Sequence, residues 1–544
     1  MKLWFAVGST ALGVLLFGLG EGSLLAQQVP SGDLPLRPRS TQQKKKISKG
    51  VKRVSYQDAP APPPVPDLPS TITPSAPLPP TVPDPTLSVP EMSATPPIAP
   101  MSTSAPVSTS EPLSSNTDLS LPKSEREGGG GGPTTATAAA EAAAAPDEKD
   151  PTKLLMNALG LEESKTKIYG WIENSFTGNT NGIKNNTYNF GVNPNNLANR
   201  WMGNQYYLVV EKPLEQDDSI NFGYRVDNLF GNDWQFNSMQ GMLNGVFANN
   251  HLGWNPAQFY AEVHLPWLTK GGIDVKGGHF YTILGYEVVP ATGRPLLSVP
   301  YMFNYGQPFT HFGFLSTWHV TDRVNWYNGA VNGWDRWVNE NYKWNYLGGV
   351  TWTSKNGKAA LAISYIIGPN SFPRFLPNNQ AIYPTGYINV PSVAGRRNPG
   401  YAGSDRTTFT TVFTYKWTEN FTQVMETDES IEKNVPGSGP GGTTQDAEWY
   451  SFGNWFLWQF YKPEGRGDVM TGVFRSEVFR DNNGVRTGFA DNFYEMTLGL
   501  IYKPVPYIWV RPEARYDWAQ FTKPYANGTK GSQFTLGFDV ILLF

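Results

Sequence analysis

The sequence has no cysteine among its 544 residues, only five histidines, and few charged side chains, which make up 16% of the chain. The lack of cysteine excludes a disulfide framework, and with so few histidines it leaves little material for a metal site, so no cofactor is expected. The formal net charge of −3 gives no indication of nucleic-acid binding.

Long hydrophobic runs are also missing beyond the N-terminus, and the mean hydropathy is −0.39. The chain is nevertheless rich in glycine, with 55 residues, and its aromatic content is 14%. A transmembrane β-barrel needs apolar residues at only every second position of a strand, which keeps the mean hydropathy low while raising aromatic and glycine content. The composition therefore favours such a barrel over a helical membrane protein or an ordinary soluble enzyme.

Residues 1–26 are predicted to be a secretory signal peptide. Lys2 gives a positive start, an apolar stretch runs from Leu3 to Gly20, and Leu24-Leu25-Ala26 offers a small-residue cleavage site. A membrane anchor is the alternative, but glycines interrupt the run and Glu21 ends it near the lower length limit for spanning a bilayer.

Residues 27–150 are predicted to form a disordered, Pro-rich periplasmic linker, because tracts rich in Pro, Ser/Thr, Gly and Ala cannot build a packed core. A basic cluster within it from Lys44 to Arg53 has two interpretations, a contact with anionic cell-wall polymers or lipid headgroups and a merely solvated patch. Residues 151–165 contain leucines at helical spacing and predict a short amphipathic helix, either a plug or a periplasmic cap.

The C-terminal segment from Gln533 to Phe544 carries an apolar residue at every second position, beginning with Leu536 and ending with a terminal Phe. Side chains alternate between the two faces of a strand, so this spacing builds one apolar face. An edge strand of a soluble sandwich would look similar. A closing strand that ends on Phe is, however, typical of bacterial outer-membrane barrels.

Strand-like segments recur from Lys167 onward and predict residues 166–544 to be an antiparallel up-and-down β-barrel of about sixteen transmembrane strands. Tight hairpins are predicted at Thr321–Arg323, Ser354–Gly357, Thr418–Asn420 and Pro504–Pro506, and long polar connections separate them. Short turns on one rim and long loops on the other are typical of outer-membrane barrels, because only the outer loops are free to grow.

Several predicted strands carry charged residues along one face and apolar residues along the other. An Arg or Lys on the lipid face at mid-membrane costs roughly 2–4 kcal/mol, so the charged face is predicted to line a wet lumen. Many of these charges could also be paired with one another along the wall. The predicted lumen-facing charges are Arg225, Asp227, Glu262, Arg475, Glu477, Arg511, Glu513, Arg515 and Asp517.

The long connection from Leu284 to Thr310 is more apolar and aromatic than a solvated loop should be. It is therefore predicted to pack against the inner barrel wall as a constriction loop. Glu287 and Arg294 would be its charges at the narrowest point, or else simple salt-bridge partners at the rim, and Tyr301 and Tyr305 would belong to the same constriction.

The same region resembles a known family. The stretch from Lys276 to Val288, with its Gly-Gly-His-Phe-Tyr sequence, the segment Tyr305–His311 and the segment Asn332–Asp335 are similar to the OmpL-like β-barrel porin-2 family. Phe222–Asp227 and Asn204–Leu208 add to the resemblance, which covers about Lys167 to Phe544. It implies an outer-membrane porin and carries over no substrate and no binding residues.

The expected function is a passive diffusion channel for small hydrophilic solutes in the bacterial outer membrane, without a catalytic residue. No histidine lies near a Gly-x-Ser-x-Gly motif, which disfavours a hydrolase. A non-conducting structural barrel tethered to the cell wall stays open, as does a sugar-selective channel. The tryptophans Trp449, Trp455, Trp458, Trp509 and Trp518 are predicted to form interfacial girdles rather than a sugar track. Porins commonly assemble as trimers, so a homotrimer is an expected assembly.

Overall fold

The computed structural model describes residues 153–184, 188–239, 242, 251–337, 343–370, 381–383, 386–388, 404–435, 438–464 and 466–544. The predicted signal peptide, the predicted linker and its basic cluster lie outside the described residues. The statements that follow concern the described part of the chain.

Sixteen strands pair in sequence order to form a closed antiparallel barrel, and a separate two-stranded sheet lies in the connection between the ninth and tenth wall strands. The predicted fold class and strand number are thereby confirmed. The wall strands are β1 (Lys167–Asn179), β2 (Arg200–Lys212), β3 (Asn221–Gly231), β4 (Gly253–Leu265), β5 (Ile273–Tyr281), β6 (Thr310–Thr321), β7 (Val324–Val331), β8 (Asn345–Thr353), β9 (Ala359–Asn370), β12 (Ser404–Thr418), β13 (Phe421–Val435), β14 (Gln445–Tyr461), β15 (Met470–Asp481), β16 (Asp491–Val505), β17 (Ile508–Ala519) and β18 (Ser532–Leu543); the small sheet pairs β10 (Ala381–Tyr383) with β11 (Gly386–Ile388).

Within the described residues, helical structure is confined to short segments. Helix α1 (Leu154–Leu159) ends at Gly160, whose φ of 66° is left-handed, and its buried Met156 packs beside the start of β1. The others are α2 (Trp234–Asn237), α3 (Tyr525–Gly528), the 3₁₀ turns Ala291–Gly293 and Pro440–Gly442, and the π-turn Met302–Gly306. None of the helices in the described ranges is long and apolar enough to cross a bilayer.

The barrel closes where the first wall strand pairs with the last. Trp171 stands opposite Leu543, and the register continues to Asn179 opposite Thr535. Along β18 the two predicted faces are visible in the burial, because Leu536 and Phe538 are exposed while Thr535 and Asp539 are buried. The exposed set is the face that the bilayer would cover, and the buried set belongs to the interior.

The connections alternate in length as the sequence predicted. Two-residue turns occupy positions 322–323, 419–420 and 506–507, whereas the loops on the opposite rim include residues 180–199, 232–252 and 282–309. The last of the short turns lies further along the chain than expected, because Val505 still pairs with Ile508. In outer-membrane barrels the short turns face the periplasm, which orients the wall.

Candidate functional site

The connection between β5 and β6, residues 282–309, folds into the barrel and is called the lumen loop below. It touches β2, β9, β13, β15 and β17, which lie on different sides of the closed sheet. A single segment can reach all of these strands only across the interior. The predicted packing of this loop against the inner wall is therefore what the structure contains.

The first half of the lumen loop is bound to widely separated strands. The Ile283 carbonyl accepts from Ser364 Oγ of β9 at 2.9 Å, and the Tyr286 N–H donates to the Glu426 carboxylate of β13 at 3.0 Å. On the far side of the interior, the Ala291 N–H donates to Gln205 Oε1 of β2 at 3.0 Å. This half of the loop thus crosses the lumen from one wall to the other.

The second half returns along the wall and is held by carboxylates. Glu477 of β15 accepts from the Tyr301 N–H at 2.6 Å and from the Met302 N–H at 2.5 Å. Glu513 of β17 accepts from the Ser298 N–H at 3.0 Å. These wall carboxylates satisfy backbone N–H groups of the loop that would otherwise be buried without a partner.

Three arginines on β15 and β17 bind carbonyl groups of the lumen loop while they pair with carboxylates. Arg475 donates to the Ser298 carbonyl at 2.6 Å and Arg515 to the Val299 carbonyl at 2.8 Å. Arg511 donates to the carbonyls of Ala291 and Arg294 at 2.9 Å and 2.5 Å. The guanidinium group suits this role, since it offers five donors in a fixed plane and can serve a carboxylate and a carbonyl together.

The other halves of these ion pairs come from the same part of the wall. Arg475 pairs with Glu495 at 3.0 Å, and Arg515 pairs with Asp517 at 2.8 Å. All four of these side chains are fully buried. The sequence predicts that these charges face a wet lumen. They are instead buried and paired with one another, because the lumen loop covers this part of the wall.

Glu287 and Arg294 are both buried and both paired. The Glu287 carboxylate accepts from Trp455 Nε1 at 3.0 Å and lies 3.5 Å from Arg475. Arg294 lies 3.5 Å from Glu173 of β1 and 3.6 Å from Asp233. Of the two roles that the sequence left open, this geometry matches salt-bridge partners. Their effect on permeation stays a prediction.

Tyr301 and Tyr305 lie within an aromatic cluster on the long-loop side of the interior. Their ring centroids are 5.9 Å apart, and Phe190 from the β1–β2 loop is 6.3 Å from each. Phe479 of β15 and Phe493 of β16 complete the contacts. Both tyrosines are fully buried, so they fix the loop against the wall and the neighbouring loops.

The predicted charges on β3 and β4 form a separate group away from the arginines described above. Arg225 pairs with Asp227 at 2.7 Å and with Glu211 at 3.1 Å. Glu262 lies 3.7 Å from Lys276 of β5. Arg225 retains 17% of its side-chain exposure, whereas Arg475, Arg511 and Arg515 retain at most 1%. Arg225 on β3 is therefore a charged side chain of the inner wall that still reaches open space.

Asp335 anchors the end of the lumen loop from the neighbouring β7–β8 loop. One of its oxygens accepts from the N–H groups of Phe309 and Thr310, at 2.8 Å and 2.9 Å. Its other oxygen is buried without a hydrogen bond. Burial raises the pKa of Asp335 to about 6, although the N–H groups of Thr310 and Phe309 favour the charged form.

The prediction of an interfacial girdle is wrong for two of the five tryptophans. Trp449 and Trp455 are fully buried, and Trp449 donates from Nε1 to the Gly306 carbonyl at 3.2 Å. They occupy the inward positions of β14, where Ser451 and Gly453 are also buried, while Tyr450, Phe452 and Trp458 on the opposite face are exposed. Their parity along the strand is the signal that separates inward from outward tryptophans.

Several residues that bind the lumen loop were missed in the sequence. Gln205 accepts from the Ala291 N–H and donates to the Val289 carbonyl at 2.9 Å. Gln307, within the loop, donates to Glu426 and to Asp428 of β13. Glu426 and Asp428 alternate with outward residues along β13 in the same way as the charges that were predicted, so the same rule would have found them.

The comparison with protein families gives one decisive result. The model of the family described as "Putative beta-barrel porin-2, OmpL-like" matches residues 165–544. The chain belongs to this family. The protein is therefore a porin of the bacterial outer membrane, and family and fold indicate a channel rather than an enzyme.

The porin is also similar in fold to solved outer-membrane channels. The outer membrane channel DcaP of Acinetobacter baumannii is 10% identical with a TM-score of 0.45, over 70% of this chain and 97% of the other. An anion-selective porin from Comamonas acidovorans is 10% identical with a TM-score of 0.45, over 70% and 99%. Pseudomonas putida OprB is 11% identical with a TM-score of 0.46, over 72% and 97%. A comparison with curated proteins gives no match.

Proposed function

We propose that the lumen loop is the constriction of this porin and that the porin passes small hydrophilic solutes by diffusion past it, with no chemical step. The observation that carries the proposal is the attachment of the loop to both sides of the interior, at Glu426 of β13 and at Gln205 of β2. A sixteen-stranded wall alone would leave a wide aqueous channel. A loop fixed across that channel narrows it.

In this proposal Glu287 and Arg294 hold the loop in place through their ion pairs, and Tyr301 and Tyr305 do so through aromatic packing. Solutes would then be sorted by the space that the loop leaves and by the charges of β3 to β5, among them Arg225 and Glu262. The support is the burial of the first four side chains and the remaining exposure of Arg225.

Planar-bilayer recording of the full chain tests this proposal. Deleting Ala291–Tyr305 should raise the single-channel conductance, because the narrowing segment is removed. The matched control deletes Pro440–Gly442, a turn on the same rim whose Pro440 and Gly442 are exposed, and should leave conductance unchanged. Equal conductance in the wild type and the Ala291–Tyr305 deletion would remove the loop from the pore. Absence of steady openings in the wild type would instead support a non-conducting structural barrel.

Two partner expectations belong to the same proposal. A homotrimer is supported by the short wall strands β5, β7 and β8, which have nine, eight and nine residues and are at or below the length that spans a bilayer alone. Light scattering of the detergent-solubilised porin would give the mass of the assembly. Cell-wall contact would come from the N-terminal extension, outside the described residues, and co-sedimentation with peptidoglycan tests it.

A further inference from the structure

A small crevice lies between the lumen loop, the β1–β2 loop and helix α2. Its walls include the carboxamides of Asn193, Asn237 and Asn304, together with Arg294. Phenylalanines form much of the remaining lining, namely Phe236, Phe303 and Phe309. The crevice thus combines hydrogen-bonding groups with apolar ring surfaces.

The polar groups of the crevice are buried but incompletely bonded. Asn193 and Asn304 are 1% exposed, and the side-chain nitrogen of Asn193 donates to Asn304 Oδ1 at 3.1 Å. This bond leaves Asn193 Oδ1 and Asn304 Nδ2 without a partner among the described residues. Asn237 Oδ1 and Arg294 Nε are likewise unpartnered, and both side chains are at least nine-tenths buried.

Two unpartnered acceptors and two unpartnered donors therefore belong to side chains that line one small space. Each buried polar atom without a partner costs about 1–3 kcal/mol, so native proteins rarely leave several of them together unless a water or a ligand binds there. Hydroxyl groups match such a mixture, since each can donate one hydrogen bond and accept others.

The charges beside the crevice are already engaged in ion pairs. Arg294 lies between Glu173 and Asp233, and Asp233 also accepts from Asn204 at 3.0 Å and from Gln205 at 2.8 Å. An anionic solute would have to compete with these carboxylates for Arg294, whereas a neutral solute would leave the pairs intact. The phenylalanine rings favour the C–H surface of a carbon chain over an ion.

We propose that this crevice is a binding subsite for neutral polyhydroxylated solutes and that it takes the terminal hydroxyl and hydroxymethyl groups of a polyol chain. Its enclosed part is too narrow for a whole sugar ring, so an end group enters and the remainder stays in the mouth. This inference rests on the proposed function, because a solute reaches the crevice only through the lumen.

Block of the ion current by xylitol tests the inference in planar bilayers containing the full-length porin. Xylitol should reduce the current saturably, and its fully O-methylated ether, which has no hydrogen to donate, should not. Asn304→Leu and Asn237→Ala should each raise the half-blocking concentration about fivefold, as expected for the loss of one hydrogen bond. Asn237→Ala serves if Asn304→Leu does not fold, and circular dichroism reports folding.

The control is Asn454→Leu, on the outward side of β14 beside exposed Phe452. Xylitol should block this variant with the same half-blocking concentration as the wild type. A conducting wild type that xylitol and its ether affect equally would show that the crevice holds water only, and would overturn the inference while leaving the channel function intact. Unchanged half-blocking concentrations in both folded crevice variants would also overturn it. A wild type that does not conduct would instead refute the proposed function.

Discussion

Replacing Arg511 with methionine would remove a buried link between the lumen loop and the wall. Arg511 is 1% exposed and donates to the carbonyls of Ala291 and Arg294 at 2.9 Å and 2.5 Å. Its Nε also donates to Asp539 of β18 at 3.1 Å. Methionine fills a similar volume and offers none of these donors, so the loop and the ion pair are perturbed together.

Two terms set the expected magnitude. Each hydrogen bond to a charged group contributes about 1.5–3 kcal/mol. The carbonyls of Ala291 and Arg294 would each lose one such bond. Removing one partner of a buried ion pair costs about 3–5 kcal/mol, because the other charge stays buried without compensation. The terms overlap, so Arg511→Met should lower the free energy of unfolding by at least about 3 kcal/mol. It should also make the single-channel current larger or noisier, because the loop is less firmly held.

The double variant Arg511→Met/Asp539→Leu separates the two terms. Arg511 also lies 3.6 Å from Glu173, but Glu173 keeps Arg294 as a partner, so Asp539 is the carboxylate that loses its closest partner. Removing Asp539 as well should therefore make the double variant more stable than Arg511→Met while keeping the altered current. Urea unfolding in lipid vesicles, followed by tryptophan fluorescence, gives the stabilities. The control Arg480→Met removes a partly buried arginine on β15 that bonds Asn482 and Asn492 only among the described residues, and should change stability by about 0.5 kcal/mol or less. A double variant no more stable than the single one would refute the reasoning.

Three further predictions concern the fixing of the lumen loop. Glu477→Gln replaces one of the two acceptor oxygens with a donor that faces a loop N–H. Hydrogen exchange at the backbone amides of Tyr301 and Met302 should therefore accelerate about tenfold or more. Exchange as slow as in the wild type would contradict this. Because the pKa of Asp335 is raised to about 6, the folded state binds this proton more tightly than the unfolded chain does, and the stability from this carboxyl falls as the pH rises from about 4 to about 6. Asp335→Asn should therefore flatten the pH dependence of the urea midpoint in that window, and an unchanged slope would count against the assignment. Gly285 has a φ of +86° and a Cβ there would clash with Gln307 Oε1, whereas Gly160 has a φ of +66° and no neighbour within 4 Å of such a Cβ. Gly285→Ala should cost more stability in urea unfolding than Gly160→Ala, which carries only the backbone strain of about 1 kcal/mol, and equal losses would show that the close contact is unimportant.

The wall of the barrel was predictable because its rules are local. Alternation along β18 assigns Leu536 and Phe538 to one face and Thr535 and Asp539 to the other without knowledge of any partner strand. Turn residues such as Asp322 and Asn420 mark the places where pairing restarts. Each of these signals lies within about a dozen residues of the position that it explains.

The interior was less predictable, because its contacts join residues far apart in the chain. Arg511 and Ala291 are 220 positions apart, and Arg515 and Gly191 are 324 positions apart. The period of a strand assigns a side chain to the inner face but does not say whether water or a loop lies there. For this reason the charges of β15 and β17 were placed on the correct face and expected beside water, while the structure covers them with the lumen loop.

The chain positions of the residues that bind the lumen loop have a consequence for biogenesis. The loop follows β5, yet most of the carboxylate and guanidinium groups that bind it belong to β13, β15 and β17, later in the chain. The loop is therefore synthesised before these strands, and its aromatic residues stay uncovered until the strands are in place. Pairing of β18 with β1 then closes the barrel around the lumen loop. An insertion machinery that released the protein before this pairing would release an open barrel whose lumen loop is not yet bound to the wall.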